Sequence, residues 1–167
     1  MKIIFSFVFI ILFIGCGYKP SSYYARDAIT GNVYVKLDVD ISNAQNSVYV
    51  KDAMNEMIIN QFKANLTDNK KNADTIVIVS LSNVSHLAMS TDDNGYVESY
   101  RTTVNITVKY QKRDEAQKTI KASNYYDYTV DSTSIVTDQK KNLAVKIAST
   151  KAFTDVFSKI AIKNMKK

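Results

Sequence analysis

Much of the usual equipment of an enzyme is missing from this chain. Among 167 residues there is one Cys, one Pro, four Gly, one His and no Trp. A lone cysteine excludes an internal disulfide and any multi-cysteine metal site. His86, with no Cys and no clustered carboxylates around it in sequence, is a poor metal ligand. Two of the four glycines flank Cys16, so no Gly-rich phosphate loop exists. No serine stands in a nucleophile-elbow pattern. There is no dense Lys/Arg run of the kind that grips nucleic acid, although the formal net charge is +6. Scarce proline and absent tryptophan, beside abundant Lys and Asn, fit an AT-rich genome and say nothing of function. The absences point away from an enzyme, a metal, a nucleic-acid partner and any diffusible cofactor.

What is present begins at the N-terminus. Met1-Lys2 is a short basic start, and Ile3 to Ile14 is apolar except for Ser6. Gly15-Cys16-Gly17 follows. A basic start, an apolar run and a small-residue junction make a secretory signal. The run holds about a dozen residues, too few for a bilayer span, which needs about 20. Phe13-Ile14-Gly15-Cys16 resembles a lipobox, in which the thiol receives a diacylglycerol and the small residue before it permits cleavage. Phe13 stands where that pattern prefers Leu. The competing reading is an ordinary signal followed by a free cysteine, but an unpaired thiol in an exported protein is itself odd. The chain therefore divides into a lipoprotein signal peptide over 1–15, a lipid-anchored tether over 16–31 and a single α/β domain over 32–167. A domain of about 150 residues can bury an adequate core without disulfides or metals. Cleavage removes Lys2 and lowers the formal charge from +6 to +5. Such mild basicity fits an anionic partner such as a membrane, and solubility alone also accounts for it.

Periodicity organises the rest. Tyr18 to Gly31 shows no sustained period. Val33, Val35, Leu37, Val39 and Ile41 alternate with polar residues, which predicts a strand with one buried face. Ser42 to Asn46 reads as a turn, and Ser47 as the cap of a helix running to about Leu66. Met54, Met57, Ile58 and Phe62 lie at helical spacing within it, most simply as core. Thr75 to about Leu87 predicts a second strand. Ile76 to Val79 is apolar on both faces, as in a central strand. Asp92-Asp93-Asn94-Gly95 is a turn signal, with the aspartates read as turn chemistry. Tyr96 to Gln111 predicts a third strand. Tyr100, Val104, Ile106, Val108 and Tyr110 point to one side of it, and Arg101, Thr103, Asn105, Thr107 and Lys109 to the other. After a charged turn at Lys112 to Gln117 comes a fourth strand, Thr119 to Tyr128. Its Tyr125, Tyr126 and Tyr128 read as cross-strand packing, with a stacking or saccharide surface as the other use. Asp138 to about Asn164 predicts a long helix with Leu143, Ile147, Thr150, Phe153, Phe157, Ile160 and Ala161 on one face. The fold expected is α+β: a two-layer sandwich of a four-stranded, mostly antiparallel sheet with two helices on one face. The outward row of the third strand is then left without a covering layer. By its parity, His86 falls opposite to Val77, Val79 and Leu81.

Three features together resemble the lipopolysaccharide-assembly lipoprotein family LptE. Cys16-Gly17-Tyr18-Lys19 is similar to the family's Cys-Gly-aromatic-basic opening. Asn94-Gly95 followed by Tyr100 and the alternating Val104, Ile106 and Val108 is similar to its turn and long strand. Tyr125-Tyr126-Asp127, a polar loop and a final long helix match its ending. The resemblance implies a non-catalytic outer-membrane lipoprotein that plugs an LptD-type β-barrel and helps deliver lipopolysaccharide to the cell surface. It also implies a basic residue just before the Asn-Gly turn and another just before the last helix, both bound up with lipopolysaccharide. Here those places hold Asp93 and Thr137, with Lys140 and Lys141 a few residues on. The candidate contacts for barrel or lipopolysaccharide are Arg101, Thr103, Asn105, Lys109, Asn94, Lys140 and Lys141. Arg101 stands first among them because a guanidinium can hold a phosphate or carboxylate through two hydrogen bonds. A different reading of the same features is a lipoprotein cofactor or pilot of another envelope machine, a cell-wall synthase activator or a secretin pilot.

Mass spectrometry of the mature N-terminus is expected to find Cys16 as the first residue, carrying a diacylglyceryl thioether. Cleavage elsewhere, or a bare thiol, would remove the lipoprotein reading.

Overall fold

A computed structural model of the chain describes residues 19–39, 41–130 and 137–165. The signal region, Cys16 and most of the loop before the last helix lie outside them. In chain order the elements are helix α1 (Ser21–Ala28), strand β1 (Asn32–Val39), helix α2 (Ser47–Met57), strand β2 (Asn65–Leu66), strand β3 (Thr75–Thr91), strand β4 (Val97–Lys112), strand β5 (Lys118–Thr129) and helix α3 (Asp138–Met165). The sheet order is β2-β1-β3-β4-β5. β1 is parallel to both β2 and β3, whereas β3, β4 and β5 are joined antiparallel by hairpins.

The expected four strands and two helices are therefore corrected, among the described residues, to a mixed five-stranded sheet with three helices. The parallel pair follows from connectivity. A strand that leads through a helix back to the same sheet returns in its original direction, and α2 is that crossover. β2 has two residues, too few for any alternation to show. The third helix, α1, falls inside the stretch read as tether. Its Ala25 and the following Ile29 are fully buried, Ala28 nearly so. Asn164 Nδ2 donates to the Tyr24 carbonyl at 3.1 Å, and Arg26 Nε donates to the Gln61 carbonyl at 3.0 Å. The tether reading thus fails from Ser21 onward. Eight residues with two small alanines bury too little apolar surface to make a period visible.

One face of the sheet builds the core. Val77, Val79 and Leu81 on β3 meet Val108 and Ile106 on β4, with Ile120 and Ala122 of β5 beside them. These side chains alternate because successive residues of a strand point to opposite faces. The helices close over this side. Of the expected inward set on β1, Val33 is buried while Val35 and Leu37 are half-buried, since β1 lies nearer the sheet edge. α3 buries Ala144, Val145, Ala148, Ser149, Ala152, Phe153, Val156, Ile160 and Ala161. The expected face is corrected at its start, where Leu143 is 55% exposed and Thr150 is exposed. Alanine and serine line the contact instead, and small side chains let the helix backbone approach closely. Phe157 is half-buried and meets Phe62 edge-on at 5.0 Å.

Local endings also differ from the sequence pattern. Ser47 does not cap α2, because the chain is already coiled in a 3-10 turn over Ile41–Asn46. The helix leaves through a π turn, Ile58–Phe62, and stops at Lys63, which takes the left-handed conformation (φ 57°). Ala64 N–H then closes onto the Ile58 carbonyl at 3.2 Å. At Gly31 (φ +70°) a Cβ would collide with the Asp74 carboxylate, which accepts the Asn32 N–H at 2.9 Å. The β5 edge is guarded by α3: Lys159 Nζ donates to the Lys121 carbonyl at 2.8 Å and Lys151 Nζ to the Tyr125 carbonyl at 3.3 Å. Charged side chains on an edge discourage pairing with another chain.

Ile106→Ala is expected to cost about 2–5 kcal/mol, the usual range for deleting a buried branched side chain. Val35→Ala should cost distinctly less, because Val35 is only half-buried. Urea unfolding followed by circular dichroism checks the order; an Ile106→Ala midpoint equal to the parent's would overturn the register of β4.

Candidate functional site

The other face of the sheet has no helix on it among the described residues. Its rows follow from strand register. Lys36 lies beside Ile78, Ile78 beside Lys109 and Lys109 beside Thr119. The next row is Asp38, Ser80, Thr107 and Lys121. Beyond it stand Asn83, Asn105 and Ser123, then Ser85, Thr103 and Tyr125, then Leu87, Arg101 and Asp127. The middle of the face is thus a field of short, neutral side chains that both donate and accept hydrogen bonds. Thr103, Asn105 and Thr107 are half-buried and Lys109 is exposed. Ile76 and Ile78, which their apolar neighbours suggested would be covered on both sides, are half-buried here.

Arg101 is at one end of this face, and its fork is occupied within the chain. Nε donates to Asp127 Oδ1 and an Nη to Asp127 Oδ2, both at 2.7 Å. The guanidinium carbon lies 3.9 Å from the centre of the Tyr125 ring. The hydrogen bonds from Arg101 hold the Asp127 carboxyl below its ordinary range, and the same bonds push the guanidinium further up. Arg101 therefore presents a neutralised pair and a stacked ring, not a bare cation.

The remaining candidates do not share this face. Lys140 and Lys141 sit in the first turn of α3, on the helix side of the sheet. Lys140 lines a cleft of about 410 Å³ with Tyr126, Tyr128 and Leu143. Lys141 Nζ lies 3.8 Å from Asp138. Thr137 caps the helix, its Oγ1 accepting the Lys140 N–H at 3.3 Å. Asn94 is exposed at the tip of the β3–β4 hairpin. There Asp92 Oδ1 accepts the N–H groups of Asn94 (2.9 Å) and Tyr96 (2.8 Å), and Gly95 takes φ +84°. Asp92 is the turn's own acceptor, as turn chemistry predicts.

Two features escaped the sequence pattern. A β-bulge between Leu81 and Asn83 shifts the parity of β3, so His86 pairs with Thr102 and faces the helix side. The opposite-face expectation for His86 is thereby corrected. His86 Nδ1 lies 2.8 Å from Thr102 Oγ1. Burial, then the nearby Lys141, lowers its pKa. The tyrosines do pack across strands, Tyr100 stacking on Tyr128 at 5.9 Å. Leu87, Met89 and Tyr96 are exposed apolar residues on the long hairpin, which the alternation alone did not single out. No group of three or more metal-binding side chains occurs among the described residues.

The lipopolysaccharide-assembly model, LptE, matches residues 34–160. The chain belongs to the LptE family. That span runs from within β1 to within α3, and it leaves out α1 and Cys16. Among solved structures, rare lipoprotein B from Shewanella oneidensis superposes with a TM-score of 0.50 at 13% identity, over 80% of this chain and 97% of that one. Lipoprotein B from Nitrosomonas europaea gives 0.49 at 12% identity, over 87% and 91%. At such identity the first likeness speaks for the fold alone. No curated protein sequence matches the chain. Family membership assigns the protein a role in lipopolysaccharide assembly at the cell envelope. Among the described residues no helix is long and apolar enough to cross a membrane.

The Arg101–Asp127 pair gives a prediction with a definite sign. Because the folded pKa of Asp127 is depressed, its contribution to stability is complete above the unfolded carboxylate value, about 3.9. It is lost as pH falls through the lower folded value. Carboxyl titration by NMR is expected to place Asp127 below the ordinary range in the parent and to return it there in Arg101→Leu. An unchanged titration would mean the fork does not hold Asp127 in solution.

Proposed function

We propose that this LptE-family protein is an outer-membrane lipoprotein of the lipopolysaccharide translocon, anchored through Cys16 and seated in the lumen of an LptD-type β-barrel. The observation that carries this reading is the open sheet face. A barrel lumen is polar and wet. A domain lodged in it needs a surface rich in hydrogen-bonding groups, low in charge and free of an apolar patch that would demand its own cover. Ser80, Asn83, Ser85, Thr103, Asn105, Thr107 and Ser123 supply such a surface over the middle of three adjacent strands, between the row of Lys36, Ile78 and Lys109 and the row of Leu87, Arg101 and Asp127. Its Arg101 is already neutralised by Asp127. Exposed ion pairs contribute only about 0–1 kcal/mol each, so seating rests on many small contacts and not on one anchor.

The protein's part is structural. Its residues position, fill and support, and the family's work is assembly without covalent chemistry. Lipopolysaccharide contact falls to the end that carries Asn94, Lys140 and Lys141. That end holds Asp93 and Thr137 where the family resemblance calls for basic residues, so Lys140 and Lys141 are the cations through which an anionic saccharide lipid would be felt there.

Photo-crosslinking in cells from positions 103, 105 and 107 is expected to give adducts to a large outer-membrane β-barrel. Helix positions 150 and 163, both exposed, serve as controls. Equal labelling from the two sets, or adducts to a peptidoglycan synthase or secretin instead, would overturn the barrel reading.

A further inference from the structure

The two ends of the sheet differ in charge and in their distance from the anchor. One end is defined by register: Val33 lies beside Thr75, and Thr75 beside Lys112. The loops there are stitched together. Asp74 N–H donates to the Asn32 carbonyl at 2.8 Å, Arg113 N–H to the Asp74 carbonyl at 2.8 Å, and Asn65 N–H to the Gly31 carbonyl at 3.0 Å. α1 enters β1 at this end and is tied to the last turn of α3 through Asn164. Only residues 17–20 separate Cys16 from α1. A stretch of about five residues reaches at most about 18 Å even when fully extended.

Exposed lysines gather at the same end. Lys70 and Lys71 project from the short 3-10 turn Lys70–Asn72, and both are exposed. Lys63 is exposed one loop away. With Lys112 and Arg113, Lys70 and Lys71 line an open cleft of about 230 Å³. Arg113 holds the Ala73 carbonyl at 2.9 Å and lies 3.7 Å from Asp74. Asp74 is engaged with Arg113 and the Asn32 N–H, which leaves Asp68 and Asp114 as the nearby free carboxylates. Three lysines elsewhere are drawn into the fold, Lys146 pairing with Glu56, Lys151 reaching the Tyr125 carbonyl and Lys159 the Lys121 carbonyl, while Lys36, Lys109 and Lys121 on the open face and Lys51 on α2 stay exposed. At the far end, the hairpin from Asp92 to Glu98 carries Asp92, Asp93 and Glu98 and no cation.

We propose that the end bearing Lys63, Lys70, Lys71, Lys112 and Arg113 is a docking surface for the anionic phospholipid headgroups of the membrane that holds the Cys16 anchor. The inference rests on the anchored reading above and adds to it a defined contact. Flexible ammonium groups around a shallow cleft suit phosphodiesters that arrive in many orientations, as a lipid surface presents them. Each lysine near an anionic leaflet favours the docked state by about fivefold, an effect that fades beyond a Debye length. With this end at the headgroup layer, the 17-residue β3 directs the acidic hairpin away from it by roughly 55 Å. Docking thus sets the direction in which the open face and the hairpin are presented.

The test uses the lipidated protein purified from cells and reconstituted in vesicles of phosphatidylcholine, with or without phosphatidylglycerol. Since lipid occupies the only native thiol, Asn72→Cys or Asn94→Cys places a single fluorophore at either end. Brominated lipid is expected to quench position 72 and not 94, only when phosphatidylglycerol is present. High salt should reverse it. Lys70→Glu/Lys71→Glu should lower the docked population by at least about 25-fold, with Lys70→Arg/Lys71→Arg close to the parent and circular dichroism unchanged. Quenching that ignores phosphatidylglycerol, survives the glutamate pair or appears at 94 would overturn the proposal. So would loss of docking to inorganic phosphate but not to chloride of equal ionic strength, which would mark a free-phosphate site. The mass of the N-terminal peptide reports the anchor separately. An unacylated chain that still bound vesicles only with phosphatidylglycerol would support the docking end while removing the anchor.

Discussion

The structure depends on burying one face of β3, β4 and β5 beneath the helices, with α3 lying over β5 and β4. Val77, Val79, Leu81, Val104, Ile106 and Val108 are at most 3% exposed. Burial of each such side chain contributes roughly 1.5–3 kcal/mol before entropy is counted. That burial requires a close-lying helix, and α3 meets the requirement with alanines at 144, 148, 152 and 161. Once α3 lies there, α1 and α2 find their places against it, and all three helices share one side of the sheet.

The consequence for function is on the other side. With every helix of the described residues committed to one face, β1, β3, β4 and β5 present a broad second face to whatever surrounds the protein. Its centre is made of Ser, Thr and Asn rather than of charge or apolar bulk. A surface of that kind is neither sticky nor strongly repelled, which suits a long residence against another polar wall. The potential anchor on it, Arg101, is tied to Asp127 and lies over Tyr125. The pair stiffens the join of β4 and β5 at the end nearest the hairpin.

Polarity along the strands is the second organising feature. The bulge after Leu81 turns His86 toward the helix side and lets β3 continue to Thr91, past the core. The hairpin tip and the start of α3 therefore share one end, with Asp92, Asp93, Asp138, Lys140 and Lys141. The entry of the chain and the exposed lysines around Lys70 share the other. A protein tethered at one end and long in one direction has a built-in axis, and its charges are distributed along that axis.

Much of this was legible in the chain by itself. Alternation placed β1, β3, β4 and β5, turn chemistry placed the hairpin at Asp92–Gly95, and the family resemblance emerged from the order of these elements. Local signals of this kind suffice because strand parity and positive-φ turns are properties of a few neighbouring residues. Tertiary structure decided what those signals cannot contain. α1 is a helix because α3 gives Ala25 and Ile29 a surface to pack on. Leu143 is exposed because Ala144, Val145 and Ala148 fit closer than it could. His86 changed sides because one extra residue at the bulge inverts the positions from Asn83 to Ala88. Arg101 lost its availability to a carboxylate 26 residues away. Each of these depends on a contact between segments distant in sequence, and a pattern read along one segment carries no term for its partner.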